Sequence, residues 1–152
     1  MSESFNVKQA TMENLNELAA MFNEYRAHYE QESDLEGARQ FLIDRLEHKE
    51  SVIFLITDME KDSGVGFTQL YPSFSSLSMK RIWILNDLYV RKEYRKKGAA
   101  KLLLDAARSF AVQTKAKGLE LSTGVDNHIA QKLYEQYGFV KDTDFFHYFL
   151  KV

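Results

Sequence analysis

The pattern of hydrophobic positions in the first half of the chain changes from strand spacing to helix spacing and back. Residues 5–10 alternate apolar and polar side chains, which predicts a short first strand. Apolar residues then recur every three or four positions over 15–29 and 34–48, and this spacing predicts two amphipathic helices. The continuous apolar run 51–57 and the segment 65–71 predict a hairpin of buried strands.

The second half of the chain also alternates between strands and helices. Pro72, the single proline, is expected to end the hairpin, because proline lacks the N–H that a central strand needs. A serine-rich loop over 74–80 then follows. The remaining predicted elements are a strand over 81–90, a helix from about Lys97 to Lys115, a strand over 119–123, a helix over 129–137, and short strands over 139–141 and 145–150. The pattern predicts a mixed α/β (α+β) fold with a mostly antiparallel sheet and a right-handed crossover between 81–90 and 119–123.

The composition restricts the class of protein. With 45% hydrophobic and 28% charged residues, the chain has the balance of one folded domain, which we expect to span residues 1–152. A net charge of −2 gives no electrostatic case for binding nucleic acid. There is no cysteine to form a disulfide or act as a nucleophile, and the four histidines lack metal-ligand spacing, so we expect no metal. No apolar stretch approaches the ~20 residues of a membrane span and the N-terminus lacks signal-peptide features, so we expect a cytoplasmic protein with no membrane partner.

A basic turn over 91–101 joins the apolar strand to the helix that follows it. A helix N-terminus leaves unpaired N–H groups and a partial positive charge, both of which favour an anion. Gly98 lets the main chain approach a phosphate closely, and Arg95, Lys96 and Lys97 add positive charge. The turn therefore indicates a phosphate site, and the alternative is a solvated basic turn before a surface helix.

Two motifs, in order and joined by a helix and a strand, make the chain similar to GCN5-related N-acetyltransferases (GNATs) over nearly its whole length. The first is an Arg followed by two free positions, Gly, a free position and Gly or Ala, which here is Arg95-Lys-Lys-Gly98-Ala-Ala100. The second, Asn-x-x-Ala-x-x-Leu-Tyr-x-x-x-Gly-Phe, is Asn127 to Phe139 here. Gly66-Phe67, Tyr71 and the segment 85–90 look most like the polyamine, thialysine and HPA2-like branch.

The resemblance implies the GNAT fold, a twisted mixed sheet of about six to seven strands with about four helices, and a V-shaped opening between strands 81–90 and 119–123. It also implies acetyl-CoA as donor, with its pyrophosphate on the N–H groups of 96–101 and its pantetheine amides paired with main chain of Leu88 and Val90. The N–H of Tyr89 is a candidate to polarise the thioester carbonyl. The implied acetyl-CoA-binding residues are Leu88, Tyr89, Val90, Arg95, Lys96, Lys97, Gly98, Ala99, Ala100, Lys101, Asn127 and Ala130.

Two residues carry the implied catalysis. Tyr134 is the expected general acid, because the departing CoA thiolate needs a proton, and the alternative is a tyrosine that only packs. The acceptor amine must lose a proton, since such amines have a pKa near ~10.4 in water. In the relatives named above a Glu often precedes the Asp that here is Asp87, and this chain has Asn86 there, which cannot act as a base. Asp87 either draws the proton through water, positions the amine, or bonds to main chain at a bulge.

Aromatic faces beside a carboxylate suit a cationic acceptor. The residues expected at the acceptor site, each with core packing or a solvated surface as its alternative, are Tyr25, His28, Tyr29, Glu30, Tyr71, Trp83 and Asn86. We expect direct attack by a primary amine in a ternary complex, with a polyamine or lysine-like small molecule as acceptor.

The alternatives are a protein acceptor (a lysine or an N-terminus) and a non-catalytic acyl-CoA sensor. The apolar segment 145–150 makes a homodimer one expectation, and burial of that segment in its own sheet is the other.

Overall fold

The computed structural model describes residues 4–152. Residues 1–3, which belong to the predicted domain and to the segment expected to lack signal-peptide features, lie outside the described part. A five-stranded sheet has the order β1-β2-β3-β4-β5. Its strands are β1 (Phe5–Gln9), β2 (Val52–Asp58), β3 (Ser63–Ser75), β4 (Lys80–Val90) and β5 (Leu119–Glu120). The first four are antiparallel and β5 is parallel to β4, so the predicted mixed α/β architecture and parallel crossover are confirmed.

Three helices cover the two faces of this sheet. They are α1 (Leu15–His28), α2 (Leu35–Glu47) and α3 (Ala99–Gln113). Helices α1 and α2 pack together on one face, in a core around Leu18, Met21, Leu42 and Phe67. Helix α3 packs on β2, β3 and β4. Its buried Leu103, Leu104 and Ala107 belong to an apolar stripe at helical spacing, which is why the sequence predicted the helix.

The sequence also contains the helix caps. Asp34 precedes α2 and its Oδ1 accepts the N–H of Gly37 at 2.9 Å, which satisfies one of the open donors of the first turn. Thr11 precedes a 3₁₀ turn at Met12–Asn14 that leads into α1. Asn14 Oδ1 accepts the Thr11 N–H at 3.0 Å, so Asn completes a reciprocal cap at a position where Glu or Gln is usual.

Strand β3 continues through Pro72, where the sequence predicted an end and a loop over 74–80. The reason lies in the register. Pro72 faces Trp83 on β4, and the N–H of Trp83 donates to Gly118 O at 3.2 Å, away from β3. This is therefore a non-hydrogen-bonded pair in which the missing proline N–H removes no bond to β4. The first residue of β2, Val52, faces Leu70, so β3 has no partner on its β2 side beyond Leu70. The serine-rich segment extends β3 to Ser75 and leaves a short turn before Lys80.

Strand β4 has a bulge at Asn86. Gln69 of β3 faces Asp87, and the next residue of β3, Leu70, faces Leu85. Asn86 is therefore an extra residue of β4 with no facing residue on β3. Because side chains of a strand alternate between faces, the extra residue places Asp87 on the same face as Ile84 and Tyr89. This is the face covered by α1 and α2, since Tyr89 packs against their core.

Residues 122–152 form a second compact unit by themselves. It contains α4 (His128–Tyr137). Asn127 is the N-cap of this helix, with its Oδ1 accepting the Ala130 N–H at 3.2 Å, and Gly138 is its C-cap. No strand is present at 139–141 or 145–150, and β5 has two residues where 119–123 was predicted, so the count of six to seven strands was too high for residues 4–152. Alternating apolar residues predict a strand, but a strand forms only where a neighbouring strand pairs with its N–H and C=O groups.

The prediction that residues 1–152 form one domain remains a prediction. In the described part of the chain, no helix is long and apolar enough to cross a membrane. The same part contains no cluster of three or more His, Cys, Asp or Glu side chains that could hold a metal ion.

Candidate active site

The candidate site begins where strand β4 extends beyond its neighbour β5. Strand β5 pairs with β4 only at Trp83 and Ile84, while β4 continues for six more residues to Val90. The outer edge of β4 beyond Ile84 is therefore not covered by β5. Uncovered main-chain groups at a sheet edge need partners, so this edge can bind a ligand that carries amides.

The register determines which β4 groups face this edge. Arg91 N–H donates to Val65 O at 2.8 Å, so the facing residues Gly66 and Val90 form a non-hydrogen-bonded pair. By alternation, the main-chain groups of Leu88 and Val90 point to the outer edge. The N–H of Tyr89 points the other way, toward Phe67 on β3. The expectation that Tyr89 N–H polarises the thioester is therefore corrected, because β3 uses that donor.

The basic turn that follows β4 ends in an uncapped helix N-terminus. A 3₁₀ turn over Lys92–Tyr94 leads to Gly98, the N-cap of α3, which has φ of 84° and no capping side chain. Positive φ is the conformation that glycine adopts without strain. The first bond of this helix runs from Leu102 N–H to Gly98 O at 3.1 Å, so the N–H groups of 99–101 have no acceptor within the helix.

Two interactions hold this turn against the end of β4. Arg95 Nε donates to Val90 O at 2.9 Å. Tyr94 is buried, and its hydroxyl donates to Asp58 Oδ2 at 3.0 Å. Burial of Asp58 raises its pKa, but the hydrogen bond from Tyr94 and those from the N–H groups of Glu60 and Lys61 outweigh that effect and hold the pKa below its usual value. A buried ionised carboxylate thus anchors Tyr94, which lies within the basic turn.

A second carboxylate joins α1 to the same end of β4. Glu24 accepts hydrogen bonds from Arg91 Nη2 at 2.8 Å and Arg91 Nε at 3.1 Å, and from the Tyr89 hydroxyl at 3.0 Å. Arg91 Nη1 also donates to Gly64 O at 3.0 Å. The bond from Arg91 lowers the pKa of Glu24 despite its partial burial, while burial and the neighbouring carboxylate raise the pKa of Tyr89 to about 12.

A cavity of about 310 Å³ lies between α1, α2 and the bulged part of β4. A volume near the lower end of the ligand-pocket range suits a small molecule. Aromatic rings form most of the wall, and Arg26, Asp87, Asn86 and Gln31 supply the polar groups. The lining residues are Phe22, Tyr25, Arg26, Tyr29, Gln31, Phe41, Tyr71, Asn86 and Asp87.

Asp87 is the carboxylate of this cavity and is only 6% exposed. Its Oδ2 accepts Gln69 Nε2 at 2.8 Å and its Oδ1 accepts Asn86 Nδ2 at 3.2 Å. Both bonds come from neutral amides, so they orient the carboxylate but add no positive charge that would neutralise it. Burial, and then the charge of Asp87, raise the pKa of Tyr71 to about 12, so this phenol remains protonated at neutral pH.

The structure separates the predicted acceptor residues into two groups. Tyr25, Tyr29, Tyr71 and Asn86 line the cavity, as does Asp87, which the sequence assigned to catalysis. Trp83, His28 and Glu30 do not line the cavity. Trp83 belongs to the hydrophobic core, which was the alternative to a role at the acceptor site. Trp83 is buried, packs on Phe110 of α3 and donates its Nε1–H to Thr114 Oγ1 at 2.9 Å.

The other two residues outside the cavity are His28 and Glu30. His28 packs on the ring of Tyr29, with ring centroids 5.4 Å apart. Glu30 is exposed in a left-handed turn with φ of 63°.

The remaining predicted residues belong to the second unit. In α4, Asn127 is the N-cap and bonds to Ala130, which confirms its capping role. Tyr134 is partly buried, and its ring packs on Phe139 with centroids 5.6 Å apart. The assignments of Tyr134 to proton donation, and of Asn127 and Ala130 to acetyl-CoA, remain predictions.

Sequence reasoning missed Gln69 and Arg26. Gln69 is fully buried in β3, and only the register that sets it opposite Asp87 gives it a role. Arg26 resembles any charged residue near a helix end until the cavity is seen. The usable signal was the helical spacing of Phe22, Tyr25, Arg26 and Tyr29, which places them along one side of α1.

Comparison with known proteins agrees with this geometry. The model described as the acetyltransferase (GNAT) family matches residues 15–139. The uncharacterized N-acetyltransferase YhfO of Bacillus subtilis (strain 168) is 51% identical over 147 residues, covering 97% of each chain. A crystal structure of a probable acetyltransferase superposes with a TM-score of 0.92 at 49% identity and 97% coverage of both chains. Aminoglycoside N-acetyltransferase AAC(6')-Iy, solved in complex with CoA, shares the fold with a TM-score of 0.82 at 15% identity, covering 100% of this chain and 98% of that one. The chain therefore belongs to the GNAT family and is an acetyl-CoA-dependent N-acetyltransferase.

Proposed function

We propose that this enzyme transfers the acetyl group of acetyl-CoA to the primary amine of a small molecule by direct attack in a ternary complex. One observation carries the proposal. The buried carboxylate of Asp87 lines the small cavity, while the main chain of the next residue, Leu88, faces the open edge of β4. An acceptor in the cavity and a thioester along the edge would therefore meet at adjacent residues.

The donor half of the site is the β4 edge together with the basic turn. The N–H groups of 96–101 bind the pyrophosphate at the start of α3, where the helix dipole favours negative charge. Main-chain groups of Leu88 and Val90 pair with the pantetheine amides. With Tyr89 N–H directed to β3, the N–H of Leu88 is the donor that we assign to the thioester oxygen. The complex of AAC(6')-Iy with CoA supports the presence of such a site in this fold.

The acceptor half is the cavity. Tyr25, Tyr29 and Tyr71 present aromatic faces, and Asp87 presents a carboxylate, a combination that attracts a protonated amine. Asp87 then takes the amine proton through a water molecule, and the amine lone pair attacks the thioester carbon. As the C–S bond breaks, Tyr134 gives its proton to the CoA thiolate. The attacking nitrogen loses its second proton to water, and the Tyr134 phenolate takes a proton back from water. Asn86 contributes only hydrogen bonds, since an amide cannot accept the amine proton.

The volume of about 310 Å³ supports a small molecule as acceptor. The resemblance to the polyamine and thialysine branch favours polyamines and lysine-like amines within that class. Direct transfer is supported by the absence of cysteine, which removes the usual thioester-forming side chain.

The test is acetyl-CoA-dependent release of thiol across polyamines, lysine analogues, aminoglycosides and lysine-bearing peptides. We expect turnover with one class of small amine. For that amine, Asp87→Asn should lower kcat/KM by about a hundredfold or more. Asp62→Asn is the matched control, because Asp62 lies in an exposed turn. Turnover of peptides alone, or an unchanged rate in Asp87→Asn, would overturn the proposal.

We also propose that the enzyme is cytoplasmic and, second, that it forms a homodimer. Light scattering on the purified full chain measures the second directly, and a monomer at every working concentration would refute it.

A further inference from the structure

Two opposite charges line the acceptor cavity, and neither is neutralised by the protein. Within residues 4–152, the carboxylate of Asp87 receives hydrogen bonds only from the amides of Gln69 and Asn86. Arg26 donates through Nη1 to the main-chain oxygen of Glu32 at 3.1 Å, and among residues 4–152 it forms no ion pair. The two charges also do not pair with each other within 4.0 Å.

The guanidinium of Arg26 is held in place. Arg26 lies near the end of α1, and its main-chain oxygen accepts the N–H groups of Tyr29 and Gln31, each at 3.0 Å. Its side chain closes the same loop through Glu32 O. The bond to Glu32 O restrains the guanidinium before a ligand binds, which reduces the entropy lost on binding.

A guanidinium with remaining N–H donors favours a carboxylate or another planar anion, because its fork of donors matches two oxygens. A polyamine has no group for this position and would place a second cation near Arg26. An amine that also carries a carboxylate satisfies both ends of the cavity.

We propose that the acceptor is a small zwitterionic molecule, an amino acid with a side-chain amine, whose carboxylate pairs with Arg26 while its reacting amine lies at Asp87. The inference rests on the proposed function and narrows its substrate class. The reacting amine and the carboxylate must be separated by several bonds, since the two protein charges are too far apart to pair. The volume of about 310 Å³ corresponds to about ten water molecules and accommodates such a chain.

The test uses pairs of acceptors that differ only in the carboxylate, namely lysine against 1,5-diaminopentane and ornithine against 1,4-diaminobutane. For at least one pair, kcat/KM should be at least about tenfold higher for the amino acid, mainly through a lower KM. Arg26→Gln should remove this preference, measured as the ratio of kcat/KM between the two members of each pair, and Arg26→Lys should restore part of it. Arg39→Gln is the control, because Arg39 is exposed on α2 and bonds to Asn16.

The outcomes separate the two proposals. Acetylation of diamines at a rate equal to or above that of the amino acids would overturn the carboxylate assignment and leave the proposed function intact. Equal losses for both members of a pair in Arg26→Gln would do the same, since they would indicate a structural role. If none of these four amines or any other small amine releases thiol, the proposed function fails as well.

Discussion

Gln69 Nε2 donates to Asp87 Oδ2 at 2.8 Å across β3 and β4, and this bond sets the orientation of the one carboxylate that lines the acceptor cavity. Gln69 is fully buried, and its Oε1 has no hydrogen-bond partner within residues 4–152. A buried amide with one unsatisfied oxygen is a cost to folding that a positioning role explains.

Replacing this glutamine with an apolar side chain of similar size tests that role. Gln69→Met should lower the free energy of unfolding by about 1.5–3 kcal/mol, because a buried carboxylate loses a hydrogen bond. It should also raise KM for the amine several-fold and leave KM for acetyl-CoA unchanged. Denaturant unfolding and steady-state kinetics measure both effects. A loss of stability with unaltered amine kinetics would show that Gln69 supports only the fold.

Two substitutions at Gly98 separate backbone strain from electrostatic repulsion. Because φ is 84°, any side chain should cost about 1–2 kcal/mol, so Gly98→Ala and Gly98→Glu should be destabilised alike. No atom lies within 4 Å of a Cβ built there, so the alanine itself meets no clash. The carboxylate of Gly98→Glu should abolish acetyl-CoA binding measured by calorimetry, whereas Gly98→Ala should retain part of it. Tight binding by Gly98→Glu would contradict the phosphate site.

Removal of the Tyr134 hydroxyl tests the predicted proton donor. Tyr134→Phe should lower the rate of acetyl transfer in a single turnover by about a hundredfold while the affinity for acetyl-CoA is unchanged. The ring contact with Phe139 is retained by phenylalanine. An unchanged rate would end the assignment of Tyr134 as the acid. Tyr137→Phe, on the same helix, is the matched control.

The Glu24–Arg91 pair predicts a defined pH dependence of stability. The folded-state pKa of Glu24 lies below its usual value near 4.5, so the unfolded chain binds the proton more readily. The stabilisation is fully present above about pH 4.5 and is lost as the pH falls through the folded-state pKa. Because Glu24 is 39% exposed, we expect Glu24→Gln to cost only about 1 kcal/mol at pH 7.

Thermal unfolding of the wild type and Glu24→Gln at several pH values measures this difference. It should shrink steadily as the pH falls below 4.5. A difference that stays constant to the lowest accessible pH would show that the contribution of Glu24 does not depend on its charge. Glu36→Gln is the control, because Glu36 is exposed at the start of α2.

The sequence by itself determined the helices, the caps and the glycine-containing turn before α3, because these depend on neighbours within a few residues. Asp34 caps α2 through Gly37, Asn127 caps α4 through Ala130, and Gly98 adopts the positive φ that precedes α3. Each interaction joins residues no more than a turn apart, so residue type and spacing were sufficient to predict it.

Only the tertiary structure decided which strand groups face the ligand. The bulge at Asn86 turns Asp87 toward α1 and α2, and the ladder to β3 takes the N–H of Tyr89 and leaves that of Leu88 at the edge. Registers of this kind are set by pairing between distant segments. A shift of one residue moves every side chain of the strand to the opposite face of the sheet. For the same reason Pro72 is tolerated within β3, and the apolar segment 145–150 forms no strand, since each outcome depends on the partner strand as well as on the segment.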